Sequence, residues 1–581
     1  MAGKDQSRNL KQPGGDTGMY VIAAILGTLV GLAWIARICV LIADRINATE
    51  TELTWNPTTL WVQLFKEGLP WGTTHTLVAI GIGLFFAAMA ALWFLADGKN
   101  RKKKKNRTRV DSATQHLASK KDIQSLSKKS VSTVAERLYG KAFASEHPGL
   151  RFGREVSTGL GLYGGWEDLH LIMAGPRVGK TTSSVIPAIV EAPGPVVTTS
   201  NKPDIVTDTI ALTSKRGTAW VFDPQGITND VGEKWYYDPL SYIRTEADNM
   251  DAAAASLSGI FAAPYMRDNG GDNYFPSSAR NLLTGLLLAA ALENRPISDV
   301  LLWASDARNQ EPVELLAGYH QWSFWRKTIQ SLYNLTDKTR DGVFGQAQNM
   351  VSVFSRSEVQ RWVEPGHGGK EFVPEEFVRS KGDTLYLLSK EGPRSVGIIT
   401  TILTVAVMEA AEAYGQQQPN GRLPVPIVCP LDETANTVLW QELPNVVSHY
   451  GSRGIILMTY LQSYSQGINL WGKEKMEALW SATTIKCIGG GIDDDELTKR
   501  MSELIGVHEE YQRSASHSAG SPAQVSRSIR EKQTLTPAEI ASLPRGRWLV
   551  RAVGRRPILA ASEPFWERDW DKKTKQLLSS K

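Results

Sequence analysis

Cysteine is nearly absent from this chain. Cys39, Cys429 and Cys487 are the only three in 581 residues, far apart and without the paired spacing of a zinc site or a disulfide framework. They read as structural thiols in a reducing compartment, and a small cross-linked secreted scaffold is excluded. A large excess of one charge is also missing. The 65 Lys and Arg against 60 Asp and Glu leave a net charge of +5, so the placement of charge matters more than its sum. No small-residue cleavage site clearly follows the first apolar run, which argues against a secretory signal peptide. What remains is globular in composition, 42% hydrophobic and 22% charged, and too long for one core, so two or three units are expected. The 18 Trp are more than usual and are expected in core or interface.

Long apolar runs are present, and both lie near the start. The first spans Met19 to Ala36, meets Arg37, and continues through Ile38 to Ala43. A helix from Tyr20 to Ala43 is ~36 Å long against ~30 Å of hydrocarbon, so Arg37 falls near one end and can snorkel. The second run, Leu77 to Ala96, is uninterrupted. Lys4, Arg8 and Lys11 precede the first run, and "DGKNRKKKKNRTR" (Asp97 to Arg109) follows the second. The positive-inside rule then predicts a transmembrane hairpin over 1–97, with spans at about 19–43 and 77–96 and both termini in the cytoplasm. The basic block reads as an anchor to anionic headgroups, with DNA contact as a second reading. Residues 98–148, charged and without sustained periodicity, read as a basic linker.

The body begins near Gly149, and its first informative stretch is "LIMAGPRVGKTTSSVIPAIVEAPGPVVTTSNKPD" from Leu171. Leu171 to Met173 look like the end of a buried strand. Ala174, Gly175, Pro176, Arg177, Val178, Gly179, Lys180, Thr181 and Thr182 follow, a relaxed phosphate-loop pattern with Ala in place of the first Gly. Gly175 and Gly179 can take backbone angles that turn N–H groups inward at a helix start, making an anion site. Lys180 is placed to reach the β- and γ-phosphates of ATP, and the Thr181 hydroxyl to ligate Mg²⁺. Pro187 is expected to end or kink the following helix early. A second strand is expected at Pro195 to Thr199.

A phosphate loop needs a partner strand that ends in acid. "RLPVPIVCPLDETANTV", Arg422 to Val438, supplies one. Asp432 would hold the Mg²⁺ water shell and Glu433 would polarise the attacking water. "GSRGIILMTYLQSYSQ" adds a third strand, Ile455 to Tyr460, with Gln462 just past its end as a γ-phosphate sensor. Arg453 stands before the strand, at the opposite edge, where it could reach a neighbour's nucleotide in a ring. "GDTLYLLS" (Gly382 to Ser389) and the helix Val396 to Tyr414 continue the alternation, and Arg547–Val553 with Pro557–Ala561 close the sheet. Between about 235 and 350 the pattern turns helical. The predicted fold is α/β: a RecA-like P-loop NTPase sheet over 149–234 and 351–570, a mainly helical insertion at 235–350, and the membrane hairpin. "HSAGSPAQVSRS", His517 to Ser528, reads as a mobile polar loop within 513–530. "LSGIF" at Leu257 departs from the ABC-transporter signature.

The order of these pieces resembles the VirD4/TraG/TraD type IV coupling proteins of conjugation and type IV secretion, membrane-anchored relatives of the FtsK-type translocases. "GPRVGKT", "VVTTSNKPD", "FDPQG", "YDPLSYI", "NYFPSSARNLLTGLL", "LDETANT" and "SRGIILMTYLQSYSQ" follow the family order. So do the closing segments "LWGKEKMEALWSATTIKCIGGGIDDDELTKRMSELIG" and "LTPAEIASLPRGRWLVRAVGRRPI". Thr434 stands where the family commonly has Phe, which puts local packing in question. The resemblance implies a homo-hexameric ATPase in the bacterial inner membrane, beneath a type IV secretion channel. It further implies sequence-tolerant DNA binding and a helical domain that meets the relaxase and other relaxosome proteins. Two other readings compete. An FtsK-like chromosomal translocase usually has a longer membrane region and a winged-helix tail, and neither is found here. A non-hydrolysing membrane scaffold is opposed by intact Lys180, Thr181, Asp432 and Glu433.

Overall fold

The computed structural model describes residues 17–63, 72–85, 87–89, 108–229, 231–266, 273–392, 394–516 and 524–571, and forms two compact units, 1–107 and 108–581. In the first unit a single helix, Thr17–Asn47, covers the first apolar run. Arg37 is buried there rather than extended. Its guanidinium lies 3.9 Å from the Trp55 ring centroid and donates to the Thr54 carbonyl at 3.0 Å, so the segment after the helix covers the charge. Of the second run, residues 77–85 and 87–89 are helical, and 90–96 lie outside the described residues.

The second unit is organised by an eleven-stranded sheet. In chain order its strands are β1 (Leu150–Glu155), β2 (Gly161–Gly164), β3 (His170–Met173), β4 (Val196–Ser200) and β5 (Ala219–Phe222). A short ribbon, β6 (Trp235–Tyr236) and β7 (Lys370–Glu371), lies apart from it. Then come β8 (Thr384–Leu388), β9 (Ile427–Leu431), β10 (Ile455–Leu461) and β11 (Ile485–Gly489). A separate hairpin of β12 (Val507–Ser516) and β13 (Gln524–Gln533) precedes β14 (Arg547–Ala552) and β15 (Ile558–Ala561). The spatial order is β2-β1-β15-β14-β11-β3-β10-β9-β4-β8-β5. From β11 to β5 every pairing is parallel, and from β11 outward to β2 every pairing is antiparallel.

Why these segments form strands is plain from their burial. β3, β4, β8, β9, β10 and β11 are buried at every position, as strands sandwiched between helices must be, and they read as mainly apolar runs, with Thr198, Thr199 and Ser200 in β4 and Lys486 in β11 as polar departures. Alternate side chains feed two cores. Leu171 and Met173 join the one shared with the helical insertion, and Ile172 joins Val185 and Ile189 on the other face. The helix Gly397–Gln416 is apolar enough to cross a membrane, but 67% of its apolar window is buried inside the body, so it is a core helix.

Helices fill the chain from Ser241 to Val363, further than the expected boundary at 350. Tyr274–Leu292 is their centre, with a buried face from Ala279 to Ala291 against the surrounding helices. The insertion leaves the sheet at β6 and returns at β7. An aromatic cluster of Trp220, Phe222, Trp235, Trp362 and Phe372 packs this neck edge to face.

Three expectations are corrected. The linker at 98–148 divides: 98–107 lie outside the described residues, while 109–146 fold as short helices belonging to the body. Side chains of Thr108, Ser119 and Ser127 cap them, and Val131 and Ala135 of the longest one face the core. The polar loop within 513–530 also divides. Residues 513–516 and 524–530 pair across the ladder of β12 with β13, and 517–523 lie outside the described residues. Pro187 does not end its helix. A π-helical turn, Thr181–Val185, runs directly into Ile186–Glu191, and this wider turn stands just before the residue that lacks an N–H.

His170, the first residue of β3, is buried with both ring nitrogens unpartnered, and burial holds its pKa down at about 4. The folded value lies below the unfolded one, near 6.5, so protonation favours unfolding. Stability is full above pH 6.5 and declines as pH falls toward 4, by up to roughly 3 kcal/mol. Urea unfolding across that range should show this slope for the wild type, and His170→Leu should flatten it.

Candidate functional site

The phosphate loop leaves β3 between two neighbours, β10 and β11, and is tied to both. Ala174 N–H donates to the Leu461 carbonyl at 3.3 Å and Gly175 N–H to the Gly490 carbonyl at 3.0 Å. Gly175 does not take a left-handed conformation. Glycine is needed there because a Cβ would stand 2.1 Å from the Gly491 carbonyl oxygen. The turn is made instead by Arg177 (φ 61°) and Gly179 (φ 95°), and Arg177 accepts a backbone region unusual for a side-chain-bearing residue. Pro176 and Arg177 are exposed, Val178 and Gly179 half-buried, and the Thr182 hydroxyl donates to the Gly179 carbonyl at 3.4 Å.

Lys180 is buried and folded back over the turn of the loop. Its ammonium donates to the carbonyls of Ala174 (2.6 Å) and Gly175 (3.3 Å). Burial lowers its pKa, against the opposing pull of Glu433 and Asp432. Thr181 Oγ1 donates to Asp432 Oδ2 at 2.9 Å, which brings together the two groups expected to hold Mg²⁺. Burial, with Glu433 alongside, pushes the Asp432 carboxyl up to about 6, even though Thr181 and Lys180 favour its charged form. A hydroxyl and a carboxylate are oxygen donors, the set Mg²⁺ takes alongside phosphate oxygens and water. Among the described residues, no group of three or more His, Cys, Asp or Glu forms a metal site of its own.

Glu433 sits past the end of β9 in the left-handed region, φ 51° and ψ 43°. β10 lies between β3 and β9, so Gln462 at its carboxyl end is placed between the loop and the acidic pair. Gln462 Nε2 donates to Glu433 Oε2 at 2.9 Å. Thr434, in the position where Phe is usual in the coupling proteins, is fully buried with its hydroxyl in use: it donates to the Leu431 carbonyl at 2.6 Å and accepts from Tyr460 N–H at 3.3 Å.

Arg453 is not part of this cluster. It ends the helix Leu443–Arg453 just before β10, at the far end of that strand from Gln462, and its Nη1 donates to the Gly421 carbonyl at 2.8 Å. Several residues of the site had no prior assignment. Gly489, Gly490 and Gly491 form the seat of the loop, and a glycine triplet after an apolar strand was the available signal. The hydroxyls of Thr199 (2.7 Å) and Thr437 (3.0 Å) hold the Asp432 carbonyl. Glu391 Oε1 accepts from Asn201 (2.7 Å) and Asn436 (2.8 Å), joining three loops at the carboxyl edge.

A strand–loop–helix anion site whose lysine and threonine face an acidic pair two strands away defines a RecA-like P-loop NTPase fold. Comparison with known proteins narrows this. Residues 426–545 match the family model described as the TraM recognition site of TraD and TraG. The bacterial conjugative coupling protein TrwBdeltaN70, in an unbound form, superposes with a TM-score of 0.52 at 17% identity, covering 71% of this chain and 88% of that one. The plasmid coupling protein TrwB bound to ADP and Mg²⁺ gives 0.50 at 17% identity, over 68% of this chain and 85% of that one. The same protein with the ATP analogue ADPNP gives 0.50 at 17% identity, over 68% and 86%. The likeness to the conjugative coupling proteins read from the motifs is borne out. No curated protein matches the chain by sequence.

Gly175→Ala tests the seat of the loop. The added methyl meets backbone rather than a movable side chain, so a shift of the loop or of Gly490–Gly491 is forced, at about 1–3 kcal/mol. A lowered Tm together with weakened binding of a fluorescent ATP analogue is the expected result, and an unchanged Tm would refute the close approach.

Proposed function

We propose that this chain is the membrane-anchored coupling ATPase of a conjugative or type IV secretion system, hydrolysing ATP to recruit relaxase-bound single-stranded DNA and drive it to the channel. The observation that carries this reading is the convergence of Lys180, Thr181, Asp432, Glu433 and Gln462 at the carboxyl ends of β3, β9 and β10. The ammonium of Lys180, held on two carbonyls, exchanges them for phosphate oxygens when nucleotide enters. Thr181 and Asp432 would hold Mg²⁺, which supplies neutralisation of phosphate charge. Glu433, braced by Gln462, accepts a proton from the attacking water and orients it, and the same amide reports on the γ-phosphate. DNA contact through backbone phosphates would be sequence-tolerant and weaken with salt.

Anchoring is supported by the helix Thr17–Asn47 and by exposed apolar side chains, Ile38, Leu41 and Ile42 in it and Leu77, Ile80, Leu84, Phe85 and Met89 in the second run. In a homo-hexameric ring Arg453 would act in trans. β10 is seven residues long, roughly 20 Å or more, too far for this side chain to double back to its own γ-phosphate. The match at 426–545 supports a relaxosome partner for the body.

Three measurements test this reading. Lys180→Ala should abolish ATP turnover and DNA transfer while leaving membrane insertion intact, and near-normal turnover would refute the site. Reporters fused near Pro57 and Ser112 should lie outside and inside the cytoplasm, and the reverse would refute the hairpin. Arg453→Ala and Glu433→Gln should each be inactive, an arginine of this kind being worth about 10³–10⁵ in rate. Mixed rings of the two should regain activity, and dead mixtures that still form rings would refute the trans role.

A further inference from the structure

The amino edge of the sheet contains a second arginine with no role so far, and it is bound to the chain beside Arg453. Arg422 donates Nη2 to Glu167 Oε1 at 2.5 Å and to the Ser452 carbonyl at 2.9 Å. Its side chain is only 11% exposed, and its guanidinium lies 5.6 Å from the Tyr139 ring centroid. The neighbouring residues hold Arg453 itself. The Gly421 carbonyl accepts from Arg453 Nη1, and Leu423 N–H donates to the Arg453 carbonyl at 2.8 Å. Gly451, two residues before Arg453, packs so tightly on Glu167 that a Cβ would stand 2.3 Å from its carbonyl oxygen. Gly454, one residue after, takes φ 81° with Tyr139 Oη against it. Segments 139, 167 and 421–423, remote in sequence, therefore close on four consecutive residues.

Stability alone does not account for this arrangement. Gly454 already ends the helix with a left-handed cap. Arg422 is buried but Glu167 is 40% exposed, and an ion pair open to solvent on one side contributes little, while Arg422 Nη1 and Arg453 Nε are left buried without partners. What the pair does supply is a fixed direction for the backbone at 451–454, and hence for the Arg453 side chain. The geometry points to Arg422, paired with Glu167, as a positioning residue that aims Arg453 at the nucleotide of a neighbouring subunit. This inference rests on the trans reading of Arg453.

The test uses full-length protein in detergent and the variant Arg422→Met, which keeps the stem and loses the charge. Rings of this variant alone should turn over ATP about 10²-fold more slowly, the scale of loss for a reacting group displaced by 1 Å. Affinity for a fluorescent ATP analogue and Tm should stay at wild-type values. Mixed with Glu433→Gln, the variant should recover activity; mixed with Arg453→Ala, it should not, since both lesions disable the same donor edge. Wild-type turnover of Arg422→Met, lost nucleotide affinity, or recovery in the mixture with Arg453→Ala would each overturn the assignment. If Arg422→Met does not fold, Glu167→Gln replaces it in the same comparisons, keeping an acceptor of equal shape. A dead Glu433→Gln and Arg453→Ala mixture refutes the trans reading itself. Recovery there, with unimpaired Arg422→Met, refutes only the positioning role.

Discussion

A strand buried on both faces cannot hold an unpaired charge along its length, because neither core offers water or a counter-charge. β3, β4, β8, β9 and β10 obey this with no charged residue but the neutral His170. Polar chemistry is driven to the strand ends, and two edges result. At the carboxyl edge stand the phosphate loop, Asp432, Glu433 and Gln462, and at the amino edge Arg422 and Arg453. β11 makes the one exception among the central strands. Lys486 is buried in it, answered by the Thr483 carbonyl and the Trp480 ring, and burial draws its pKa down to about 8.

The same constraint decided what could be read in advance. Fully buried parallel strands are mostly apolar runs of about five residues, so β3, β4, β8, β9 and β10 were visible without any alignment of side chains, and the antiparallel β14 and β15 were visible as a closing pair of apolar segments. The helices at 109–146 were not, since each is short and the apolar stripe, as at Val131, Val134, Ala135 and Leu138, is broken up by charged and Ser-rich stretches. Nor was the β12–β13 hairpin, whose described side chains from Ser528 to Gln533 are all exposed and mostly polar, leaving no alternation to detect. Within the site, the meeting of the charged residues was legible, because the loop pattern and the acidic end of an apolar strand each stand out in the sequence. The supports were not. That Gly175 faces Gly491, or that Glu391 joins Asn201 to Asn436, depends on loops meeting from separate parts of the chain.

The role of glycine in the loop illustrates the limit. Two glycines were expected to serve by backbone freedom, but only Gly179 does so. Gly175 is needed for its missing methyl, and Arg177 supplies the second left-handed residue. The pattern locates the turn between β3 and its helix but misassigns which physical property each glycine contributes.

The separation between the halves of the site also has a consequence for synthesis. Thr181 and Asp432 are 251 residues apart, and β10, which seats Ala174, is later still. At ~5–20 residues per second, the loop and its acidic partner leave the ribosome about 10–50 s apart. The helical insertion, its ends joined at the β6–β7 neck, is complete before β8 appears, so β8, β9 and β10, which share its core, arrive after it. A chain interrupted anywhere before Asp432 therefore presents a lysine loop with no seat and no acidic pair. The cluster of Lys180, Thr181, Asp432, Glu433 and Gln462 is a property of the finished body alone.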